Sequence, residues 1–512
     1  MNQQDLRQNL AGSMPPCRAA DDDAHEFAHV RHGRSKAAVK GVFWSVINSF
    51  APALFGMLVF MVTSRALQRS EFGLVAFAAS IATLGTAIAP GGFGEAIIQQ
   101  HDIGRRHLTA AFWLCLVAAI VIYVPMALSA APLAAHMNEP GLTTLIPFLG
   151  LRVIFDMIAI VPNALLVRQM SFSSMAMRTV VASFIAGAVC VILLLLGFGL
   201  WALAFSQLAA SIASCVGALF SARWLPDVSF DRKAFRELAS FGFFATGYRI
   251  LNMLSLDQIL IGMLVGPGAL GIYSFARRIY QILSDLIAGA LGSVSYSLLS
   301  SLQREPAKLR RVFMFATFTS SVLSFPVFIG MAITADQFIP LAFGAHWAEA
   351  VPAVQGFCAL GLLSSVGVLQ SSLIRSQGQA NMWFYYLVAK QALTIFYVLL
   401  FYSWGINALV TAVVIQNYLM WLPSVMMCAQ ILRVPMLNYL MGFAKPALAT
   451  LFMYFVTTLI KAHIHGLPPL AALGLTIGTG GLAYTAFLTA LAWKNMFQMR
   501  DLVLRRGMPS GA

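Results

Sequence analysis

Apolar residues in this chain come in runs of about twenty, broken by short polar stretches, and the runs fill residues 41 to 495. A hydrocarbon core ~30 Å thick takes about 20 apolar residues in helical form, because every backbone polar group inside it must be satisfied within its own segment. The pattern predicts about fourteen membrane helices, over 41–67, 72–98, 108–131, 142–167, 175–196, 199–222 and 238–264, then 268–300, 312–334, 348–375, 382–402, 406–428, 440–462 and 468–493. The shortest break, Gly197 to Gly199, leaves room only for a tight helical hairpin. No connecting stretch reaches twenty residues, so the chain has no space for a soluble catalytic domain outside the bilayer. The expected fold class is all-α, a polytopic transmembrane helix bundle.

Composition agrees and narrows the reading. Hydrophobic residues make up 59% of the chain and charged ones 10%, with a mean hydropathy of +0.79. A water-soluble domain carries roughly a quarter charged residues. The net charge of +14 would suit nucleic acid, but its placement points elsewhere. With the N-terminus on the cytoplasmic side and fourteen alternating helices, 24 of the 33 Lys and Arg residues fall in the cytoplasmic tail, loops and C-terminus. Arg105, Arg106, Arg232, Lys233, Arg310 and Arg311 are among them. Only Arg65, Arg69 and Lys461 fall on the opposite side. That asymmetry is the positive-inside pattern. It implies a multi-pass membrane protein with both termini cytoplasmic, and no nucleic-acid partner.

Residues 1–38 are polar and mixed in charge, with no apolar stretch before Val42, and read as a disordered cytoplasmic tail rather than a secretory signal. His25, His29 and His32 beside Asp21, Asp22 and Asp23 have ligand chemistry but no fixed scaffold. The six cysteines are scattered, with no CxxC spacing, so neither a disulfide framework nor a metal site is expected. No GxGxxG, Walker A, HExxH or Ser-His-Asp arrangement stands at a usable position, so the expectation is no cofactor and no enzyme.

The chain also repeats itself. Aligned at an offset of 198, Phe72-Gly73-Leu74 falls on Leu270-Gly271-Ile272 and Phe77-Ala78 on Phe275-Ala276. At an offset of 206, Gly199-Leu200-Trp201-Ala202-Leu203 falls on Gly405-Ile406-Asn407-Ala408-Leu409. The repeat is thus six helices long, which predicts bundles over 39–226 and 227–434, with 435–512 holding two extra helices and a cytoplasmic C-terminal tail. An even number of helices per repeat makes the two halves parallel, related by an axis along the membrane normal. Two such bundles leave a central cleft and can rock about it, the geometry of alternating access.

Gly41-Val42-Phe43-Trp44-Ser45, EFGLVAFA from Glu71, GFGEAIIQQ from Gly92 and LDQILIGMLVGPGALGIYSFARRI from Leu256 resemble the Wzx-like polysaccharide flippases of the MATE-like, or MOP, superfamily. The sequence departs from them at Ala89-Pro90-Gly91-Gly92, where relatives often carry an Asp before the Gly-rich turn. The resemblance implies a flippase for an undecaprenyl-diphosphate-linked oligosaccharide, the building block of a surface polysaccharide. The bilayer, the lipid-linked oligosaccharide, and a polymerase with other polysaccharide-assembly proteins would be its partners. Two alternatives are a MATE-type antiporter of cationic drugs and a membrane polysaccharide polymerase or ligase. The first calls for an acidic or aromatic lining. The second calls for a large extracytoplasmic loop with Arg or His residues, whereas the stretch near 335–347 holds only His346 of these.

Charges inside the spans are the candidate chemistry, since each is costly in hydrocarbon and needs a partner or an aqueous cavity. Arg152 and Asp156 are spaced i, i+4, where an ion pair can form. Depth counted from the 264–270 turn matches Asp257 with Arg277 and Arg249 with Asp285, leaving Arg278 over. Lys390 and Lys445 are further cations, and Glu95 stands near a span end. On one reading these groups are self-neutralising pairs that fix helix register. On the other, Arg249, Arg278, Arg277, Arg152 and Lys390 line the cleft and draw in an anionic cargo, with Arg well shaped to fork onto phosphate oxygens. Asp156, Asp257 and Asp285 then serve as ion-pair partners or carry coupling ions.

Overall fold

The computed structural model describes residues 50, 52–99, 103–169, 171–227, 250, 255–464 and 466–504. All of them belong to the unit Ser45–Ala512; the unit Met1–Trp44 lies outside the described residues. Every apolar run within the described residues is helical, and no strand occurs among them. The helices are α1 (Pro52–Ala66), α2 (Arg69–Ile88), α3 (Gly92–Gln99), α4 (Arg105–Leu128), α5 (Ala130–Met137), α6 (Leu142–Ile158), α7 (Ile160–Arg168), α8 (Phe172–Leu195) and α9 (Leu200–Ala222). After the 228–249 segment come α10 (Leu256–Leu264), α11 (Pro267–Ser301), α12 (Pro306–Phe343), α13 (Val351–Ser376), α14 (Ala380–Phe401), α15 (Ile406–Leu432), α16 (Met436–His463) and α17 (Pro469–Leu504). Among the described residues, 11 helical segments are long and apolar enough to cross a membrane. The chain is a multi-pass membrane protein.

Two departures from the expected spans have local causes. The run 72–98 is two helices, because Ala89 before Pro90 is extended (φ −60°, ψ 148°) and ends α2, as the residue before a proline tends to do. The run 312–334 is much longer, extending to Phe343 and continuing through a 3-10 turn at Ala345–Ala350. What reads as a polar loop is therefore packed helix.

The same neighbours recur in the two sets of helices. In the first set the second helix, α2, packs on the fourth, α6; α4 packs on α6; and α8 packs on α9. In the second set α11 packs on α13, α12 on α13, and α14 on α15. The fifth helices, α8 and α14, bury least of their apolar surface, and α2 and α13 bury most. Outward residues such as Leu195 and Phe220, 83% and 79% exposed, are apolar, as a lipid-facing surface requires. The sets meet where α2 runs against α11, and α16 and α17 lie against α12.

Candidate functional site

A cavity of about 620 Å³ opens between the two sets, walled by α1, α2, α6, α8 and α9 on one side and by α10 and α11 on the other. Its apolar wall is studded with hydroxyls and amides. Gln258 of α10 links the sets across this wall: Ser80 of α2 donates to its Oε1 at 3.0 Å, and its Nε2 donates to Ser274 of α11 at 3.1 Å.

Three of the cations expected in the cleft line this cavity: Arg152, Arg277 and Arg278. Their charges are handled differently. Asp257 sits in the first turn of α10, where the helix dipole favours an anion. It is 8% exposed and accepts hydrogen bonds from Arg277 Nη1 and, at 2.6 Å, from Tyr273 Oη. The depth match between Asp257 and Arg277 is thus an ion pair, and Arg277 is neutralised. Arg278, one residue on and so about 100° around the helix, has an exposed side chain inside the cavity. Among the described residues it forms no hydrogen bond or ion pair; Asp285, two turns along, acts on it only through space.

The expected Arg152–Asp156 pair does not form. Arg152 Nη1 donates to Gln207 Oε1 at 2.6 Å, and Asp156 accepts from Ser211 Oγ. Both partners come from α9, which outcompetes the neighbour one turn away. Arg152 Nε is buried with no partner. The cavity therefore presents two cations, Arg152 and Arg278, without a paired carboxylate. Lys390 does not line it: it lies on α14, with its backbone carbonyl accepting from Gln416 Nε2 at 3.3 Å. Lys445 is exposed on α16 and Glu95 on α3. Arg249, and with it the Arg249–Asp285 match, lies outside the described residues, as do the tail histidines.

Sequence reasoning missed an aromatic plug that adjoins the cavity through Phe60 and Phe72. Phe275 stacks on Trp347 at 4.0 Å between ring centroids, and Phe60 packs 5.2 Å from both Phe275 and Phe343. Phe72 meets Trp347 edge to face. Around this plug the first set grips the second. Arg65 donates to the carbonyls of Ala342 and Leu341 at 2.8 and 2.6 Å, and Arg69 pairs with Glu349 and donates to the His346 carbonyl at 2.7 Å. Trp347 Nε1 donates to the Ser64 carbonyl at 2.8 Å. Arg65 and Arg69, which sequence placed on the sparsely charged side, are inter-set clasps. Only the EFG motif hinted at this: Glu71 caps α2 by accepting from the Gln68 amide at 2.8 Å, placing Phe72 in the plug.

A family model described as polysaccharide biosynthesis protein matches residues 62–352, from the plug through both walls of the cavity. The chain belongs to that family. This polysaccharide biosynthesis family member is 24% identical to the teichuronic acid biosynthesis protein TuaB of Bacillus subtilis (strain 168), over 92% of this chain and 99% of TuaB. It is 25% identical to the succinoglycan biosynthesis transport protein ExoT of Rhizobium meliloti (strain 1021), over 93% and 98% of the two chains. Its fold is that of the lipid II flippase MurJ in an inward closed conformation, with a TM-score of 0.68 at 14% identity, covering 92% of this chain and 99% of MurJ.

Proposed function

We propose that this family member is a flippase that carries an undecaprenyl-diphosphate-linked oligosaccharide from the cytoplasmic to the periplasmic leaflet of the bacterial inner membrane. The observation that carries the reading is the charge of the cavity between the helix sets: Arg152 and Arg278 stand without paired carboxylates, while Asp257 is neutralised by Arg277. Such a lining suits a diphosphate, because a guanidinium in a low-dielectric cleft gives two directed, charge-assisted hydrogen bonds. It suits a cationic drug poorly. The Ser, Thr and Gln side chains of the wall match sugar hydroxyls. The names of TuaB, a teichuronic acid biosynthesis protein, of ExoT, a succinoglycan biosynthesis transport protein, and of the lipid II flippase MurJ support the same cargo class.

In this reading residues 39–226 and 227–434 are the rocking halves and 435–512 the appended segment, with both termini cytoplasmic. The aromatic plug and the Arg65 and Arg69 clasps form the periplasmic gate, closed here. Arg278 and Arg152 contact the diphosphate, Arg277 holds the wall through Asp257, and Lys390 has no part in binding. Opening needs the plug to part while the bundle's opposite ends close, which moves the cargo head without dragging sugars through hydrocarbon. Deleting the gene should leave lipid-linked repeat units on the cytoplasmic leaflet with surface polysaccharide lost. Repeat units reaching the periplasmic leaflet at the normal rate would overturn the proposal.

A further inference from the structure

A second concavity, of about 410 Å³, lies far from the cavity between the sets, at the arginine-rich end of α12. Its walls are Ala307, Arg310, Arg311 and Met314 of α12, with Val434 and Asn438 from the α15–α16 corner. That corner is made by Arg433, whose backbone is left-handed at φ 53°. The nearby Lys308 is engaged with Glu305 at 3.5 Å. Arg310 and Arg311 are exposed and form no hydrogen bond or ion pair among the described residues.

Depth identifies what stands in front of this pocket. Lys461 of α16, two residues before that helix ends, holds Asp336 of α12 at 2.6 Å, and this ion pair is taken as the level of the opposite headgroup layer. Arg310 is 26 residues before Asp336, and Asn438 is 23 before Lys461. At 1.5 Å per residue these separations are about 39 and 35 Å. A bilayer is ~30 Å thick in its hydrocarbon and about 40–45 Å with its headgroups. The pocket therefore opens in the headgroup layer of the arginine-rich side, with two free guanidinium forks, an amide donor, and the apolar side chains of Met314 and Val434 beside them.

We propose that this pocket binds the phosphodiester headgroup of an anionic glycerophospholipid such as phosphatidylglycerol. Basic pockets between membrane helices at the cytoplasmic interface suit such headgroups. A soluble phosphate has no use for the apolar wall, whereas a lipid places glycerol and the start of its acyl chains there. A lipid held by Arg310 and Arg311 on one side and Asn438 on the other staples α16, and with it the appended pair, to the second set. The site is separate from the cargo cavity and stands whether or not the flippase reading holds.

The test is thermal unfolding of the purified full chain in neutral detergent, titrated with phosphatidylglycerol, phosphatidylcholine or inorganic phosphate. Phosphatidylglycerol should raise Tm, and the other two should not. The double variant Arg310→Ala, Arg311→Ala should keep the lipid-free Tm but need about tenfold or more phosphatidylglycerol for the same shift. Arg310→Lys with Arg311→Lys should respond in between, and it serves in place of the alanine pair if that pair inserts poorly. Arg304→Ala, an exposed cation on the same end but outside the pocket, should respond like the unaltered protein. An equal shift with phosphatidylcholine or with phosphate alone would overturn the proposal. So would an unchanged titration in the double variant, or the same loss in Arg304→Ala, which would make the effect diffuse surface charge.

Discussion

Gly73 of α2 and Gly271 of α11 pack backbone against backbone: a Cβ built on Gly73 would overlap the Pro267 carbonyl, and one on Gly271 would overlap the Arg69 carbonyl. These are the two glycines that the repeat equates. The contact is reciprocal, each helix presenting its glycine to the start of the other, as expected where two parallel halves meet on their shared axis. It also places the plug residues Phe72 and Phe275, one residue before Gly73 and one turn beyond Gly271, on the same seam.

Adding one methyl at this crossing should force the helices apart. Gly271→Ala is expected to cost about 1–3 kcal/mol, the usual scale of overpacking a tight contact. Differential scanning of the purified protein should show a lower Tm and, in cells, reduced export. Gly268→Ala is the control: it lies on the same helix but a Cβ there meets nothing within 4 Å, so Tm should be unchanged. Equal behaviour of the two variants would contradict the crossing.

The clasp between the sets makes a second prediction. Thr63 lines the cavity, donates to the carbonyl of the plug residue Phe60 at 3.2 Å and is fully buried. In spheroplasts, Thr63→Cys should be slow to react with a membrane-impermeant maleimide, against a low background, since the five cysteines described are all buried. Adding Arg69→Ala should speed labelling by about 1.4- to fivefold, the scale of losing a partly exposed ion pair worth about 0.2–1 kcal/mol. The swap Arg69→Glu with Glu349→Arg should restore protection. Labelling that ignores all three changes would remove the clasp from the gate.

Helix placement was legible because hydrocarbon forces the backbone into helices, so each apolar run within the described residues is helical, even where a break divides it as at Ala89. Asp257 and Arg277 were also legible: counting depth from a tight hairpin fixes which residues meet. Arg152 and Asp156 were not, since spacing within one helix says nothing of Gln207 and Ser211 on a neighbour. The plug was hidden for a different reason. Phe60, Phe275, Phe343 and Trp347 look no different in sequence from aromatic residues that face lipid, such as Phe184 and Trp404. Distinguishing them takes the packing of four separate helical segments.

Topology gives a third prediction. A reporter active only in the periplasm should be active when fused after His136, Gly266 or Trp404, and silent after Arg106, Lys233 or Arg310. The positive-inside asymmetry underlies this, and the proposed periplasmic position of the plug rests on the same orientation. The reverse pattern at any one fusion would break the fourteen-helix alternation there and reverse or undo the assignment of the gate.

Neighbouring arginines on α11 should fail in different ways. Arg277 compensates the buried Asp257, so Arg277→Ala leaves a carboxylate in low dielectric with, among the described residues, only the Tyr273 hydroxyl to hold it. Breaking such a pair from one side costs about 3–5 kcal/mol, and its export defect should come with a fall in Tm. The double variant Arg277→Ala, Asp257→Ala removes the stranded charge and should recover much of that Tm. Among the described residues Arg278 has no hydrogen-bonded or ion-paired partner to strand, only Asp285 acting through space, so Arg278→Ala should insert and unfold normally yet lose cargo. Forfeited charge-assisted hydrogen bonds of about 1.5–3 kcal/mol correspond to roughly ten- to a hundredfold in affinity. Arg278→Lys should keep part of the export, holding the charge without the fork. Arg152→Ala should resemble Arg278→Ala, and Arg249→Ala tests the remaining expected cation by the same assay. Export and Tm, measured together at matched expression, separate the roles. Full export by Arg278→Ala would remove it from cargo binding, and a normal Tm for Arg277→Ala would mean that the Asp257 pair does not hold the wall.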